Sequence, residues 1–549
     1  LGYWKENNDW KTFFLAFAII ALFCVNSFSQ LGNNNMTLLA NINNRTTPYA
    51  AVWGYEDPKD GREYAIIGTF DGTSFVDITD PYNIHEVGFV PSTSPGNSNN
   101  SWREMKTYSH YAYIVSEVPN SGVQIIDLQY LPDSVRYVKK FLFTGYSDSH
   151  SISQEGPYLY LNGSNSGIGN GITVLDLTSN PETPVIRGSY NIDYVHDCRV
   201  KNDTIYAANI YISKVSIISA VNKNSLSLIS SFINQPNSGP HNTAVTSDSK
   251  YILVTDEIGN SPRQLKIWNR EDLGDITYVS GWQPTGITTA IVHNVEVYGN
   301  YALVAHYRAG VRLVDITNKS APTEVAWFDT YPASNSGSYS GCWGVYMFPS
   351  GKIIASDMQT GLYVLKTPFN ITMAVEGFYN SATNQMNISD TVRAYLRNSN
   401  SPYSIVDSSK ALVSSANLTG KFDFFNAPAG SYYLVMKHRN TVDTWSSATP
   451  IDYNPMKMNS YNFTDASSKA YGNNMSQVDF SPVKYGVYSG DANRDNAIDL
   501  ADLGLIDNDA SNFTTGYFPT DVNGDNITDL DDVTLTDNNS FNFITAIVP

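Results

Sequence analysis

Gly310-Val-Arg-Leu-Val-Asp315 has three close copies upstream: Gly72-Thr-Ser-Phe-Val-Asp77, Gly122-Val-Gln-Ile-Ile-Asp127 and Gly171-Ile-Thr-Val-Leu-Asp176. Degenerate copies stand at 214–219, 264–269 and 361–366, which makes seven. Five of the seven begin with Gly, and all run through strand-forming residues and end on a polar or charged side chain. A fixed period of this kind marks a repeat architecture. Upstream of each copy lies a second pattern. His293-Asn-Val-Glu-Val-Tyr-Gly-Asn-Tyr-Ala-Leu-Val304 shows it best: a strand, a Gly-Asn turn and a returning strand, the signal of a β-hairpin. His196 to Ala207 and Arg103 to Ile114 align with it without a gap. A Pro-containing turn and a further β-rich run, such as Glu324-Val-Ala-Trp-Phe328, follow several copies.

Each repeat therefore predicts four short strands, and helical periodicity is nearly absent. A lone four-stranded sheet cannot bury both faces, whereas radial stacking lets each sheet cover its neighbour. The expected fold is mainly β: a seven-bladed β-propeller over 30–369. A linear solenoid is the alternative. The last repeat lacks an outer strand of its own, and Met36-Thr-Leu-Leu-Ala-Asn-Ile42 is the candidate to supply it. That strand would latch the ring and remove an exposed edge.

The repeat strand resembles the LVIVD-repeat proteins, including the secreted choice-of-anchor B group. Trp53-Gly-Tyr55 with Gly61-Arg-Glu-Tyr64, Ser101-Trp-Arg-Glu104, His293-Asn294 and Gly351-Lys-Ile-Ile354 share in the likeness, which covers about residues 36–367. The resemblance implies a surface or secreted propeller and names no substrate.

Aligning the repeats puts Trp53, Arg103, His150, His196, His241, His293 and Trp343 in one place, 45 to 52 residues apart. Four of the eight His share this position. The next residues include Glu104, Asp197 and Asn294. On the first strand of each blade they would ring the mouth of a central channel. Two readings stay open. Imidazoles are frequent metal ligands, so the ring could hold a transition metal, an anion or a carbohydrate, with the Trp rings stacking on a sugar. Alternatively, polar residues there tie neighbouring blades together.

From 370 to 480 the repeat is lost while strand alternation persists, as in Val392-Arg-Ala-Tyr-Leu396 and Ser431-Tyr-Tyr-Leu-Val-Met-Lys437. Half-buried strands at this spacing predict a β-sandwich. Ala429-Gly-Ser-Tyr-Tyr-Leu-Val435 resembles a strand of prealbumin-like surface modules.

The sharpest chemistry lies at 485–549. Asp491-Ala-Asn-Arg-Asp-Asn-Ala-Ile-Asp-Leu-Ala-Asp502 repeats as Asp521-Val-Asn-Gly-Asp-Asn-Ile-Thr-Asp-Leu-Asp-Asp532. Asp491, Asn493, Asp495, Asp499 and Asp502 fall at loop positions 1, 3, 5, 9 and 12. Asp521, Asn523, Asp525, Asp529 and Asp532 do the same in the second loop. The carbonyls of Ala497 and Ile527 fall at position 7. This is the spacing of an EF-hand calcium loop, which offers a hard cation six to eight oxygens. Two calcium ions are expected. Position 6, where a left-handed turn favours Gly, is Asn496 and Asn526, the next most tolerant type.

Tandem loops with Asp at position 12 and a short following helix resemble a dockerin module over about 486–547. Dockerins meet cohesins mainly through positions 10 and 11, often Ser or Thr. Here Leu500-Ala501 and Leu530-Asp531 stand there, so a cohesin partner does not follow from the resemblance.

The net charge is −18, of which residues 491–540, with twelve Asp and one Arg, carry −11. Such acidity argues against holding nucleic acid through phosphate contacts. Lys5 and Lys11 flank the apolar run 13–25, and small residues follow at Ser27 and Ser29. That order predicts a signal peptide over 1–29, since a span needs about 20 apolar residues. Beyond it only Cys198 and Cys342 remain, expected as buried thiols. No G-x-S-x-G elbow, H-E-x-x-H pair or phosphate loop occurs.

These features suggest a bacterial, secreted or cell-surface protein for binding and assembly rather than an enzyme. Carbohydrate, another extracellular protein or further copies of itself are the expected partners. The alternative is a dockerin-bearing enzyme or accessory protein of polysaccharide degradation. That would need facing carboxylates, with Glu104 and Asp197 the candidates.

Overall fold

The computed structural model describes residues 32–46, 48–164, 170–236 and 239–549. The expected signal peptide lies outside them. The chain is mainly β and divides into two compact units. One runs to Met347 and includes Ile353–Leu365; the other joins Phe348–Lys352 to Lys366–Pro549. No helix among the described residues is long and apolar enough to cross a membrane.

In the first unit the repeat folds as a run of antiparallel sheets with a propeller-like order, six of four strands and one widened to five by Asn33–Asn34. The third sheet is representative: Ser151–Glu155, Tyr158–Asn162, Ile172–Asp176 and Val185–Tyr190, each paired with the next. The innermost strands are Tyr49–Glu56, Arg103–Tyr108, Ser151–Glu155, Asp197–Lys201, Pro240–Val245, Val295–Tyr298 and Cys342–Met347. Each packs against the next, and the last packs against the first. Thr37–Ile42 supplies the outer strand beside Gly361–Lys366.

The repeat's conserved chemistry has local causes. Its leading Gly meets the outer strand's backbone. A Cβ at Gly310 would lie 2.2 Å from Phe328 O, and one at Gly361 would lie 2.3 Å from Ile42 O, at φ of +76° and +88°. No other residue fits such an approach. Its closing Asp accepts the backbone N–H two residues on: Asp77 from Thr79 at 2.9 Å, Asp176 from Thr178 at 2.8 Å and Asp315 from Thr317 at 2.7 Å. This Asx turn starts the run to the outer strand. The apolar pairs between them, such as Val174 and Leu175, are buried between sheets.

The second unit has two main sheets around one core. Phe369–Thr372 pairs antiparallel with Thr419–Phe422 and parallel with Asn459–Asn462. Asp390–Asn398 lies between Ile405–Val413 and Gly430–Lys437. Ile371, Val392, Leu396, Phe422, Leu434 and Met436 meet in that core. Trp445 is buried with Tyr433 in a smaller cluster.

Two helices follow, α1 (Leu500–Ser511) and α2 (Leu530–Phe541). Asp499 and Asp529 cap them, in capping boxes with Asp502 and Asp532. Ala497 bridges Thr545, and Ile527 bridges Thr515. The offset of 30 residues is the same in both, so each loop pairs with the segment after the other's helix. The two halves are related by an internal pseudo-twofold.

Candidate ligand and metal sites

The strand register places six of the seven aligned residues at one level. Arg103 faces Ser116, and the residues after His150, His196, His241, His293 and Trp343 face Asn162, Ala208, Thr255, Ala305 and Ser356. Trp53 is the exception. It faces Ile66, as Lys106 faces Tyr113, so it lies three residues farther along its strand. The cause is turn length: the first hairpin closes Glu56 on Glu63 here but Tyr108 on Tyr111 in the second sheet, so equal counts along the chain do not land at equal levels. Trp53 accordingly sits under Lys106, whose Nζ is 3.6 Å from the ring centroid, and meets Tyr346 edge-on at 4.9 Å.

Arg103 also departs from the expected ring. Its guanidinium is buried and donates to Gln124 Oε1 and Asn100 Oδ1, both at 3.2 Å. Trp343 is 6% exposed, with its indole edge-on to His293 at 5.1 Å. The two Trp therefore do not pair as a sugar platform.

What remains is an arc of four imidazoles on consecutive inner strands. Ring centroids are 3.9 Å apart for His150–His196, 4.5 Å for His196–His241 and 4.0 Å for His241–His293. Ligand atoms of His150, His196 and His241 all lie within 4.8 Å of one another, as do those of His241, His293 and Glu257. Glu257 was not among the sequence candidates. Its carboxylate is 3.7 Å from both His241 Nε2 and His293 Nε2, and Tyr307 Oη donates to it at 2.9 Å. Glu117 bonds His150 Nδ1 at 2.6 Å. Glu117, Glu257 and Tyr307 each follow the second strand of their sheet. Reading the repeat alignment at that position would have found them.

The electrostatics follow from burial. His196 and His241 are held neutral, well below the usual imidazole range, by desolvation and by neighbouring imidazoles. His293 is pushed down to about 3, chiefly by desolvation. At His150 burial also favours the neutral ring, but the Glu117 bond and nearby carboxylates outweigh it and raise the pKa. Burial raises Glu257 too. His293 Nδ1 bonds Trp343 O at 2.5 Å, tying one sheet to the next. The carbonyls of His241 and His293 approach the preceding rings in the same sense. There the geometry falls short, and the Nδ1 atoms of His196 and His241 are buried without a hydrogen bond.

Glu104 and Asp197 link sheets. Ile152 N–H donates to Glu104 Oε2 at 3.3 Å, while Ser151 Oγ donates to Asp197 Oδ1 at 3.2 Å and Asn242 Nδ2 to Asp197 Oδ2. Burial, then the Asp197 charge, pushes Glu104 up to about 7. Asn294 Oδ1 is buried without a partner. Cys198 and Cys342 are free, buried thiols, and burial pushes Cys198 up to about 12.

In the second unit, ligand oxygens of Asp491, Asp495 and Asp502 converge within 4.8 Å. Asn496 and Asn526 have φ of +73° and +75°, the turn an EF-hand loop needs at position 6. Asp491 accepts N–H from Asp495 and Asn496, and Asp502 accepts from Asn493 and Asp499. Burial pushes Asp491 and Asp532 up to about 6 and raises Asp502 and Asp521. Carboxylates crowded and desolvated in this way fit a divalent cation, which would keep them ionised. The second loop has an extra neighbour: Arg439 Nη2 is 3.4 Å from Asp521 Oδ2. Asn440 Nδ2 donates to Asp521 O at 2.8 Å and Asn387 Nδ2 to Asn523 O at 2.9 Å. The first loop is held by Asp443 N–H, which donates to Asn496 Oδ1 at 2.9 Å, so both loops dock on the adjoining β-structure.

The LVIVD repeat model matches residues 147–192 and 291–330, which span the third and sixth sheets. LVIVD repeats are therefore present. Structures similar to the chain are β-propellers. The Cps50 (Swd1) β-propeller domain of Myceliophteria thermophila is 12% identical, covering 60% of this chain and 99% of that one, with a TM-score of 0.42. The WD40 β-propeller domain of Doa1 is 12% identical, covering 60% and 96%, with a TM-score of 0.44. The periplasmic gluconolactonase PpgL of Pseudomonas aeruginosa is 12% identical, covering 53% and 90%, with a TM-score of 0.40. No curated protein matches the chain.

Proposed function

We propose that this is an exported binding and assembly protein. Its first unit is a seven-bladed β-propeller closed by Thr37–Ile42, with a ligand site at the imidazole arc. Its second is a β-sandwich carrying a dockerin-like module that takes two calcium ions. The observation that carries the binding role is the arc: His150, His196, His241 and His293 touch in sequence, and two of their nitrogens are buried without a partner. Buried polar atoms are nearly always satisfied, so such exceptions call for an explanation. The apolar run 13–25 supports export. The loop spacing, the left-handed Asn496 and Asn526 and the desolvated carboxylates support calcium. The bonds from Asn387 and Asn440 support a module packed in cis.

Carbohydrate is the ligand class to test first. A glycan array probed with the full chain should give binding that His196→Ala/His241→Ala loses. Binding unchanged in that double variant would contradict a ligand site at the arc.

A further inference from the structure

We infer that the arc is a transition-metal centre, in which His241, His293 and Glu257 hold one divalent ion of the zinc, copper and nickel group. This rests on reading the arc as a binding site. It goes further in naming the ligand and the atoms that take it.

The first argument is spacing. For bonds of about 2.0–2.1 Å, two ligand atoms around one tetrahedral ion stand roughly 3.3 Å apart. Glu257 lies 3.7 Å from His241 Nε2 through Oε2 and 3.7 Å from His293 Nε2 through Oε1. That is too long for a hydrogen bond and close to the separation of two ligands sharing an ion.

The second argument is orientation. A ligating His is held through its other nitrogen by a carbonyl or carboxylate. His293 has that arrangement: Nδ1 bonds Trp343 O, leaving Nε2 toward Glu257. Tyr307 holds Glu257 in the same manner. At the far end Glu117 holds His150.

The third argument is unmet demand. Glu257 is a buried carboxylate beside the buried His241 and His293 rings. Buried charge is costly unless paired or bound to a metal. Imidazole with carboxylate suits zinc, copper and nickel rather than calcium. His241 belongs to both trios of ligand atoms, so one ion per chain is expected. His150 and Glu117 are only partly buried and mark the way in.

The test uses Co2+ as the probe. The full chain is stripped with a chelator, returned to excess Ca2+ so that the Asp loops are occupied, and titrated with Co2+. Visible absorption and bound metal by mass spectrometry are read together. One Co2+ per chain is expected. Glu257→Gln, close in shape, should weaken binding at least tenfold, and Tyr307→Phe about 10- to 100-fold. Circular dichroism checks that the variants are folded. Absence of saturable Co2+ binding, or binding unchanged in Glu257→Gln, would overturn the proposal. Glycan binding that is lost in His196→Ala/His241→Ala, in a chain that takes no Co2+, would overturn the metal while sparing the ligand site.

Discussion

Arg439 reaches from the β-structure to Asp521, the first ligand position of the second Asp loop, with Nη2 and Oδ2 3.4 Å apart. The same guanidinium donates to Asp390 Oδ2 at 2.8 Å. One cation thus joins a strand carboxylate to an acidic loop.

Calcium should hold this region together. Binding only the folded state, an ion stabilises it by mass action. Two ions per chain are expected in calorimetric titration. Asp502→Asn and Asp532→Asn should each remove one, because each takes a charged oxygen from position 12. Chelation should lower the melting step of the second unit. An unchanged step, or two ions retained in either variant, would count against the loops.

Asp390 predicts a pH dependence. Burial works to raise its pKa, but bonds from His438, Tyr517 and Arg439 outweigh it and hold the carboxyl well below the usual range. A depressed acid stabilises the fold above its unfolded pKa and loses that contribution as pH falls through the folded one. The second unit should therefore begin to weaken as pH drops below about 4. Asp390→Asn should lower its stability at pH 7 and flatten the acid limb of a denaturation series. A variant with the wild-type profile would refute this.

The repeat Gly is a backbone requirement. At Gly310 a side chain meets Phe328 O and a left-handed backbone together. Gly310→Ala should cost at least about 1–2 kcal/mol, read as a lower melting temperature of the first unit. An unaltered melting curve would exclude the close approach.

Asp197 is a staple between sheets. Removing it leaves Asn242 and the Cys198 N–H without this acceptor, while Ser151 Oγ keeps the His196 carbonyl at 2.8 Å. Asp197→Ala should cost roughly 1–3 kcal/mol for each buried donor left unmet, seen in urea denaturation. A catalytic acid would instead be removed with little change in stability.

The repeat was legible because its Gly and Asp do local work that any copy must do. The shape of the Asp loops was legible for the same reason, since the left-handed Asn and the capping Asp act locally. The seven-membered ring was legible only in part. A longer hairpin turn between Glu56 and Glu63 left Trp53 farther along its strand, and the long reach of Arg103 took it to Gln124 and Asn100. Neither shows in a one-letter alignment. Glu257 stands sixteen positions from His241 and thirty-six from His293 in sequence. Only the sheet-to-sheet packing of the fold brings the three together.

Whether the arc is a site or a set of staples is best decided by thermal melting of the first unit with and without Zn2+, at fixed Ca2+. The wild type should melt higher with Zn2+. His196→Gln/His241→Gln should lose that rise while its metal-free melting temperature moves by only a few degrees. A wild type indifferent to Zn2+, with a double variant that melts far lower in its absence, would make the imidazoles structural and contradict the account.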